Sequence, residues 1–117
     1  MKNQHLHKKL FFSLNGLKHA FKLEHSLKIE LFCSILLIVF FIYFDASITW
    51  FALGIISSCI MLSAELINTA FEAYLDHFHP QFDRVVGLIK DILSGSVFIT
   101  QVMTFIIFML FVVSQVF

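Results

Sequence analysis

Charge is scarce in this chain of 117 residues, and so are the residues that interrupt helices. Asp, Glu, Lys and Arg supply only 14% of it, whereas soluble domains average about 25%. One proline and four glycines, with no internal repeat, exclude a low-complexity segment. Hydrophobic residues supply 59% of the chain. The composition excludes an ordinary soluble domain and predicts one membrane-embedded domain over residues 1–117.

Cysteine and phosphate-binding motifs are also scarce. Cys33 and Cys59 both lie inside apolar runs, so we interpret them as membrane-embedded apolar residues and not as a disulfide or a thiolate metal site. Neither GxxxxGK[ST] nor GxGxxG occurs. Any nucleotide chemistry must therefore use a different architecture, and we expect no nucleic-acid partner.

Three apolar runs are long enough to cross a bilayer, at about 29–47, 48–64 and 92–113. The apolar residues of the first run end at Phe44, and the link at its end, residues 45–47, is so short that it predicts an antiparallel hairpin with the second. Residues 5–28 are more polar and predict an amphipathic helix on the membrane surface. Its apolar face contains Leu6, Leu10, Leu14, Leu17 and Phe21. A signal peptide is not expected, because the first apolar run begins too late.

The charged residues predict the orientation in the membrane. All eight basic residues precede the first span or lie between the second and third. The positive-inside rule then places the N-terminus and the second loop in the cytoplasm and the C-terminus outside. Seven of the eight acidic residues lie at that same face or its boundary, and only Asp45 lies outside. We therefore expect an inner-membrane protein whose chemistry is concentrated at the cytoplasmic face.

The segment AELINTAFEAYLD carries polar residues at helical spacing directly after the second span. Glu65, Asn68, Glu72 and Asp76 fall within about 80° of one another on a helix. Carboxylate and amide oxygens suit Mg²⁺ better than Zn²⁺. The stripe is consistent with a cation site, or with a polar seam that pairs with Lys90 or Arg84. Spacing alone leaves both open.

The motifs AELINTAFEAYLD and IKDILSGSV, with NGLKHAFKLEHSLKIE upstream, resemble the bacterial membrane diacylglycerol kinases, a family that includes undecaprenol kinases. The resemblance covers nearly the whole chain. It implies an all-α homotrimer, in which each subunit has an amphipathic surface helix and three transmembrane helices. It also implies an enzyme that transfers phosphate from ATP, with Mg²⁺, to the hydroxyl of diacylglycerol at the inner leaflet, giving phosphatidic acid. Active sites would be shared between subunits.

Carried onto this sequence, the resemblance implies a role for each matching residue. Glu65 would be the general base, Glu24 and Glu72 would hold the metal, and Asn68 would orient the carboxylates. The implied nucleotide contacts are Lys90, Asp91, Gln81, Phe82, Asp83, Glu24, Glu72, Phe12 and His5. The implied lipid contacts are Glu65, Ser94, Ser26, Leu27, Lys28, Ile29 and Glu30.

Three other functions remain as alternatives. An undecaprenol kinase would share the fold and differ only in its acceptor. A transporter or ion-conducting subunit would use the acidic stripe as a cation path, but the stripe begins where the second predicted span ends. In a structural membrane protein without turnover, the charges would only pair with one another.

Overall fold

The computed structural model describes residues 5–81 and 83–117, and within them it contains four α-helices and no β-strand. The helices are α1 (Leu6–Leu23), α2 (His25–Tyr43), α3 (Ile48–Phe78) and α4 (Arg84–Val116). The last three are long and apolar enough to cross a membrane. The structure thus confirms the predicted all-α membrane fold with three spans.

The surface helix is shorter than predicted. It ends at Leu23, because Glu24 is extended (φ −110°, ψ 116°), and residues 25–28 already belong to α2. A helix on the membrane surface and a helix that crosses it point in different directions, so the chain needs a non-helical residue between them. That residue is Glu24, whose backbone N–H still donates to the carbonyl of Ala20 at 2.9 Å.

The α2–α3 hairpin turns within four residues, Phe44 to Ser47. The predicted first span, 29–47, therefore ends early, at Tyr43. Asp45 is in the left-handed region (φ 54°), and the N–H of Ala46 donates to the carbonyl of Phe41 at 2.9 Å. A left-handed residue followed by this bond is a common way to end a helix.

The second turn is also shorter than predicted. The sequence HFHPQFDRVVG (77–87) contains the only proline, which predicts a turn there and a helix that ends near Tyr74, but α3 continues to Phe78. Helix α4 begins at Arg84, with the carboxylate of Asp83 accepting from the N–H of Val85 at 2.7 Å. Such a cap satisfies a free amide and allows the helix to start at once.

Helices α3 and α4 are longer than a bilayer is thick. Their 31 and 33 residues correspond to about 46 and 50 Å, against a hydrocarbon core of about 30 Å. Both therefore extend beyond the membrane on the side of the turn that joins them. The extension carries Glu72, Asp76 and Lys90 out of the apolar region.

An aromatic cluster joins the three spans at the hairpin end. Phe41 and Phe111 are fully buried, with ring centroids 4.8 Å apart, and Trp50 lies 5.3 Å from Phe111. Gly54 allows α3 to approach α2, since a Cβ there would lie 2.8 Å from the ring of Phe41. Burial of these large rings stabilises the end of the bundle opposite the polar residues.

An apolar groove lies between α2 and α4, with a volume of about 810 Å³. Helix α3 packs against both of these helices. Cys33, Leu36, Phe40 and Phe105 are among the groove's lining residues. Surfaces of this kind suit lipid chains or neighbouring membrane helices.

Candidate active site

One face of α3 carries small and polar side chains into the bundle. Its buried residues follow helical spacing, mostly three, four or seven positions apart: Gly54, Ser57, Ser58, Met61, Glu65, Asn68 and Leu75. Glu65 and Asn68 of the predicted stripe thus belong to a longer buried face, whereas Glu72 is half-buried and Asp76 is exposed. An isolated carboxylate is expensive to bury, so this face indicates a site that depends on charge.

The fold brings four carboxylates together at the inner end of the bundle. Glu65 is only 5% exposed, and the carboxylates of Glu30, Glu24 and Glu72 lie close enough to repel its charge. Glu24 comes from the α1–α2 junction, Glu30 from α2 and Glu72 from the next turns of α3. Four negative groups in one region require protons or cations to neutralise them.

Asn68 connects this cluster to Glu72. Its Nδ2 donates to Glu72 Oε1 at 3.3 Å, while its buried Oδ1 has no partner among the described residues. A buried amide oxygen without a donor loses hydrogen bonding that water would provide. It is therefore free to accept from, or coordinate, a group that enters the site.

Lys90 provides positive charge beside the acidic cluster. Its Nζ donates to Asp76 Oδ1 at 2.6 Å, and the lysine is also close enough to Glu72 to be attracted by it. Both members of the pair remain accessible to water, at 37% and 67% exposure. An exposed ion pair of this kind contributes little stability, so Lys90 can exchange Asp76 for an anionic ligand at small cost.

The donor set fits magnesium better than a zinc-like metal. Within residues 5–81 and 83–117, no three His, Cys, Asp or Glu side chains converge on one point as a metal cage would require. Magnesium does not need such a cage, because one or two carboxylates and substrate phosphates commonly hold it. Glu24 and Glu72, each near Glu65, and the unpartnered Oδ1 of Asn68 supply hard oxygens of the kind that such a site uses.

The predicted nucleotide contacts lie in several places. Gln81 and Asp83 border a small concavity in the α3–α4 turn, and the Asp83 carboxylate also caps α4. Phe82 lies outside the described residues. His5 stacks on His7 and Phe12 packs edge-to-face on Phe11, both within the α1 region. Asp91 is exposed on α4, one residue after Lys90.

The predicted lipid contacts divide between α2 and α4. Leu27 and Glu30 are buried, whereas Ser26, Lys28, Ile29 and Ser94 are exposed. Ile29 and Glu30 also line the inner end of the α2–α4 groove. The structure therefore joins the acidic cluster to the apolar groove through Glu30.

Gln101 is a site residue that we did not predict. Its Nε2 donates to Glu30 Oε2 at 3.2 Å across the groove, from α4 to α2. The available signal was a lone amide inside the third apolar run. The burial of Ser57 and Ser58 was also not predicted. Extending the α3 stripe toward the N-terminus at the same helical spacing would have reached both residues.

Three helices long enough to cross a membrane, with an acidic cluster at one end, define a helical membrane protein with a charged site, and comparisons with known proteins identify its family. Residues 11–112 match the model of the family described as prokaryotic diacylglycerol kinase. The chain is 34% identical over 95 residues to a diacylglycerol kinase of Haemophilus influenzae, an alignment covering 81% of this chain and 80% of that protein. The chain belongs to the prokaryotic diacylglycerol kinase family. It is thus a membrane lipid kinase of the diacylglycerol kinase type.

Proposed function

We propose that the protein transfers the γ-phosphate of ATP to the hydroxyl of diacylglycerol and produces phosphatidic acid. The observation that carries this proposal is the buried Glu65 with three further carboxylates around it. They lie where the membrane-spanning part of α3 ends, and a lysine stands at the edge of the cluster. An acceptor hydroxyl held by the bilayer would meet the aqueous nucleotide at this depth.

Glu65 is the base in this proposal. The lipid hydroxyl loses its proton to the Glu65 carboxylate as its oxygen forms a bond to the γ-phosphorus. The bond from that phosphorus to the β–γ bridging oxygen breaks, and ADP leaves with the electron pair. Such a transfer depends mainly on positioning and charge neutralisation. A buried carboxylate in a negative environment readily takes up a proton, which suits Glu65 to the role.

The remaining residues bind and orient the nucleotide. Glu24 and Glu72 would hold Mg²⁺, and Asn68 would fix the Glu72 carboxylate through the observed hydrogen bond. Bound there, the ion would offset the charge of both the carboxylates and the phosphates. Lys90 would leave Asp76 for a phosphate oxygen. Asp91, with Gln81, Phe82 and Asp83 in the turn, would contact the rest of the nucleotide.

The proposed setting is the bacterial inner membrane. The N-terminus and the α3–α4 turn lie in the cytoplasm, and the C-terminus lies outside. All the basic residues are on the proposed cytoplasmic side. We further propose a homotrimer with shared sites, which would cover part of the apolar surface that one chain leaves exposed.

The test is a radiolabelled ATP assay on purified protein in mixed micelles. Diacylglycerol and undecaprenol are offered in parallel, with Mg²⁺ or with a chelator. We expect label in phosphatidic acid only with Mg²⁺. Label confined to undecaprenyl phosphate would move the function to the alternative acceptor, and a verified assembly that labels neither lipid would contradict the proposed lipid kinase reaction.

A further inference from the structure

Gln101 is a polar side chain in a place where apolar residues are favoured. It lies on α4 ten residues before the buried Phe111, and the apolar run continues on both sides of it. An amide among lipid chains is expensive unless it is hydrogen-bonded, and it usually indicates function. One bond is present, from Nε2 to Glu30 Oε2 at 3.2 Å.

That bond uses only part of the hydrogen-bonding capacity of Gln101. A glutamine amide has two N–H hydrogens. Among the described residues, Glu30 is the only hydrogen-bond partner of the Gln101 side chain. Because the two hydrogens diverge on a planar nitrogen, fixing one on Glu30 directs the other away from it. The side chain is exposed and lines the α2–α4 groove.

The serine and threonine hydroxyls near Gln101 in the groove donate within their own helices, whereas Glu30 keeps one buried oxygen, Oε1, without a hydrogen-bond partner among the described residues. Ser34 Oγ donates to the carbonyl of Glu30 at 2.8 Å, and Thr104 Oγ1 donates to the carbonyl of Thr100 at 3.0 Å. Tyr43 lies at the far end, about 20 Å from Glu30 along α2. Within the described residues, Gln101 is therefore the amide that can donate at the inner end of the groove.

The depth of the pair relative to Glu65 identifies the chemical group it can reach. Glu65 lies 17 residues after the start of α3 at the hairpin, which corresponds to about 25 Å. Glu30 lies 13 residues before the end of α2 at the same hairpin, which corresponds to about 20 Å. Glu30 and Gln101 thus lie about 5 Å deeper in the membrane than the proposed base. In a diacylglycerol, the ester carbonyls lie just deeper than the free hydroxyl. Carbonyl oxygens accept hydrogen bonds, which matches the free N–H of Gln101.

We propose that Gln101 is a specificity-determining residue for a glycerol ester acceptor, which it recognises by donating its second amide hydrogen to an ester carbonyl. The acyl chains lie in the α2–α4 groove, and Glu30 holds the amide in the required orientation. This inference rests on the proposed lipid kinase reaction and adds the recognition of the acceptor. A polyprenol has a hydroxyl but no carbonyl, so the same contact would select against it.

The experiment compares two acceptors that differ only in their carbonyls, dioleoylglycerol and its dialkyl ether analogue. The wild-type protein should use the ester with a kcat/KM about tenfold higher, the effect of one good hydrogen bond. In Gln101→Leu, the ester-to-ether ratio should fall to about one, with the KM for ATP near that of the wild type. Gln115→Leu, the same replacement near the outer end of α4, should keep the wild-type ratio.

Each other outcome has a defined meaning. A wild-type ratio near one, which needs no variant to measure, would overturn the inference alone. An unchanged ratio in Gln101→Leu, or an equal loss with both lipids, would assign Gln101 to helix packing and overturn it as well. Gln101→Met provides a second variant of similar size if the leucine protein fails to assemble. If the wild-type protein labels neither the ester nor the ether glycerolipid, both the proposed reaction and this inference are overturned.

Discussion

Glu65 is, with Glu30, one of the two acids of the cluster that the fold encloses, each of them 5% exposed. Its neighbours on α3 above and below, Met61 and Asn68, are also buried, whereas Glu72 is partly accessible to water. Enclosure restricts a carboxylate to few orientations and strengthens its interaction with nearby charges. Since Glu30 already accepts a hydrogen bond from Gln101, this enclosure supports Glu65 as the base of the proposed reaction, with the more accessible Glu24 and Glu72 as the proposed metal contacts.

Replacing Glu65 with glutamine should remove the base and preserve the shape of the side chain. We expect kcat to fall about 10²–10⁴-fold, the usual contribution of a general base. Folding should be retained, since the variant removes a repelled buried charge. The measurement is initial rate at saturating lipid and ATP, together with size-exclusion chromatography in detergent.

Asp45→Asn is the matched control for this replacement. It makes the same acid-to-amide change in the opposite loop, and asparagine tolerates the left-handed backbone found there (φ 54°). Its rate should equal that of the wild type. A Glu65→Gln protein with near-normal turnover would show that another group removes the proton.

The sequence predicted the polar stripe at the residue scale but not the contact across the bundle. Helical spacing alone placed Glu65, Asn68 and Glu72 on one face, because that relation is local in the chain. The bond between Glu30 and Gln101 joins residues 71 positions apart. Such a contact depends on how α2 and α4 align along the membrane, which hydrophobic periodicity does not specify.

At the scale of the helices, the apolar runs predicted that there are three spanning helices. They did not predict the residues at which the helices begin and end. Apolar runs report which residues prefer lipid. The ends of α1, α3 and α4 lie outside those runs and depend on caps and on directions of the chain. The extended Glu24 and the Asp83 cap are examples. Both lie in polar segments where several turns satisfy the same composition.

Gly54 should be the position where α2 and α3 are most sensitive to an added methyl group. Gly54→Ala would place a Cβ 2.8 Å from the fully buried ring of Phe41. Overpacking of this kind typically costs about 1–3 kcal/mol. We expect a lower midpoint of thermal unfolding in detergent, followed by circular dichroism.

Gly87→Ala controls for the helix preference of alanine. Nothing lies within 4 Å of a Cβ at Gly87 in α4, so the replacement should be neutral or stabilise by up to about 1 kcal/mol. Equal destabilisation by the two alanines would show that the α2–α3 contact at Gly54 can relax.

At the scale of the whole molecule, the two ends of the bundle differ in composition and role: one is held together by aromatic packing, and the other carries the charged groups. Aromatic packing of Phe41, Trp50 and Phe111 holds the hairpin end together. The charged groups lie at the other end, where α3 and α4 leave the apolar region. A bundle fixed at one end can keep repelling carboxylates close at the other, because the packed rings compensate for part of that repulsion.

A single chain gathers the acidic part of the proposed site, and Asp91 is among the predicted contacts that it leaves apart. Glu24, Glu30 and Glu72 interact with Glu65 within one chain, and Lys90 interacts with Glu72. The Asp91 side chain is exposed and makes no hydrogen bond or ion pair to the described residues of its own chain. If sites are shared in a homotrimer, Asp91 is therefore a residue that a neighbouring copy could supply.

Mixing inactive variants tests this division of the site. Copies carrying Glu65→Gln and copies carrying Asp91→Asn should regain activity when co-assembled, since about a quarter of randomly paired sites would combine two unaltered parts. Glu65→Gln mixed with Glu72→Gln should stay inactive, because both changes fall in the part supplied by one chain. Recovery in both mixtures would place Glu72 in the neighbour's part, and recovery in neither would mean that each chain builds its own complete site.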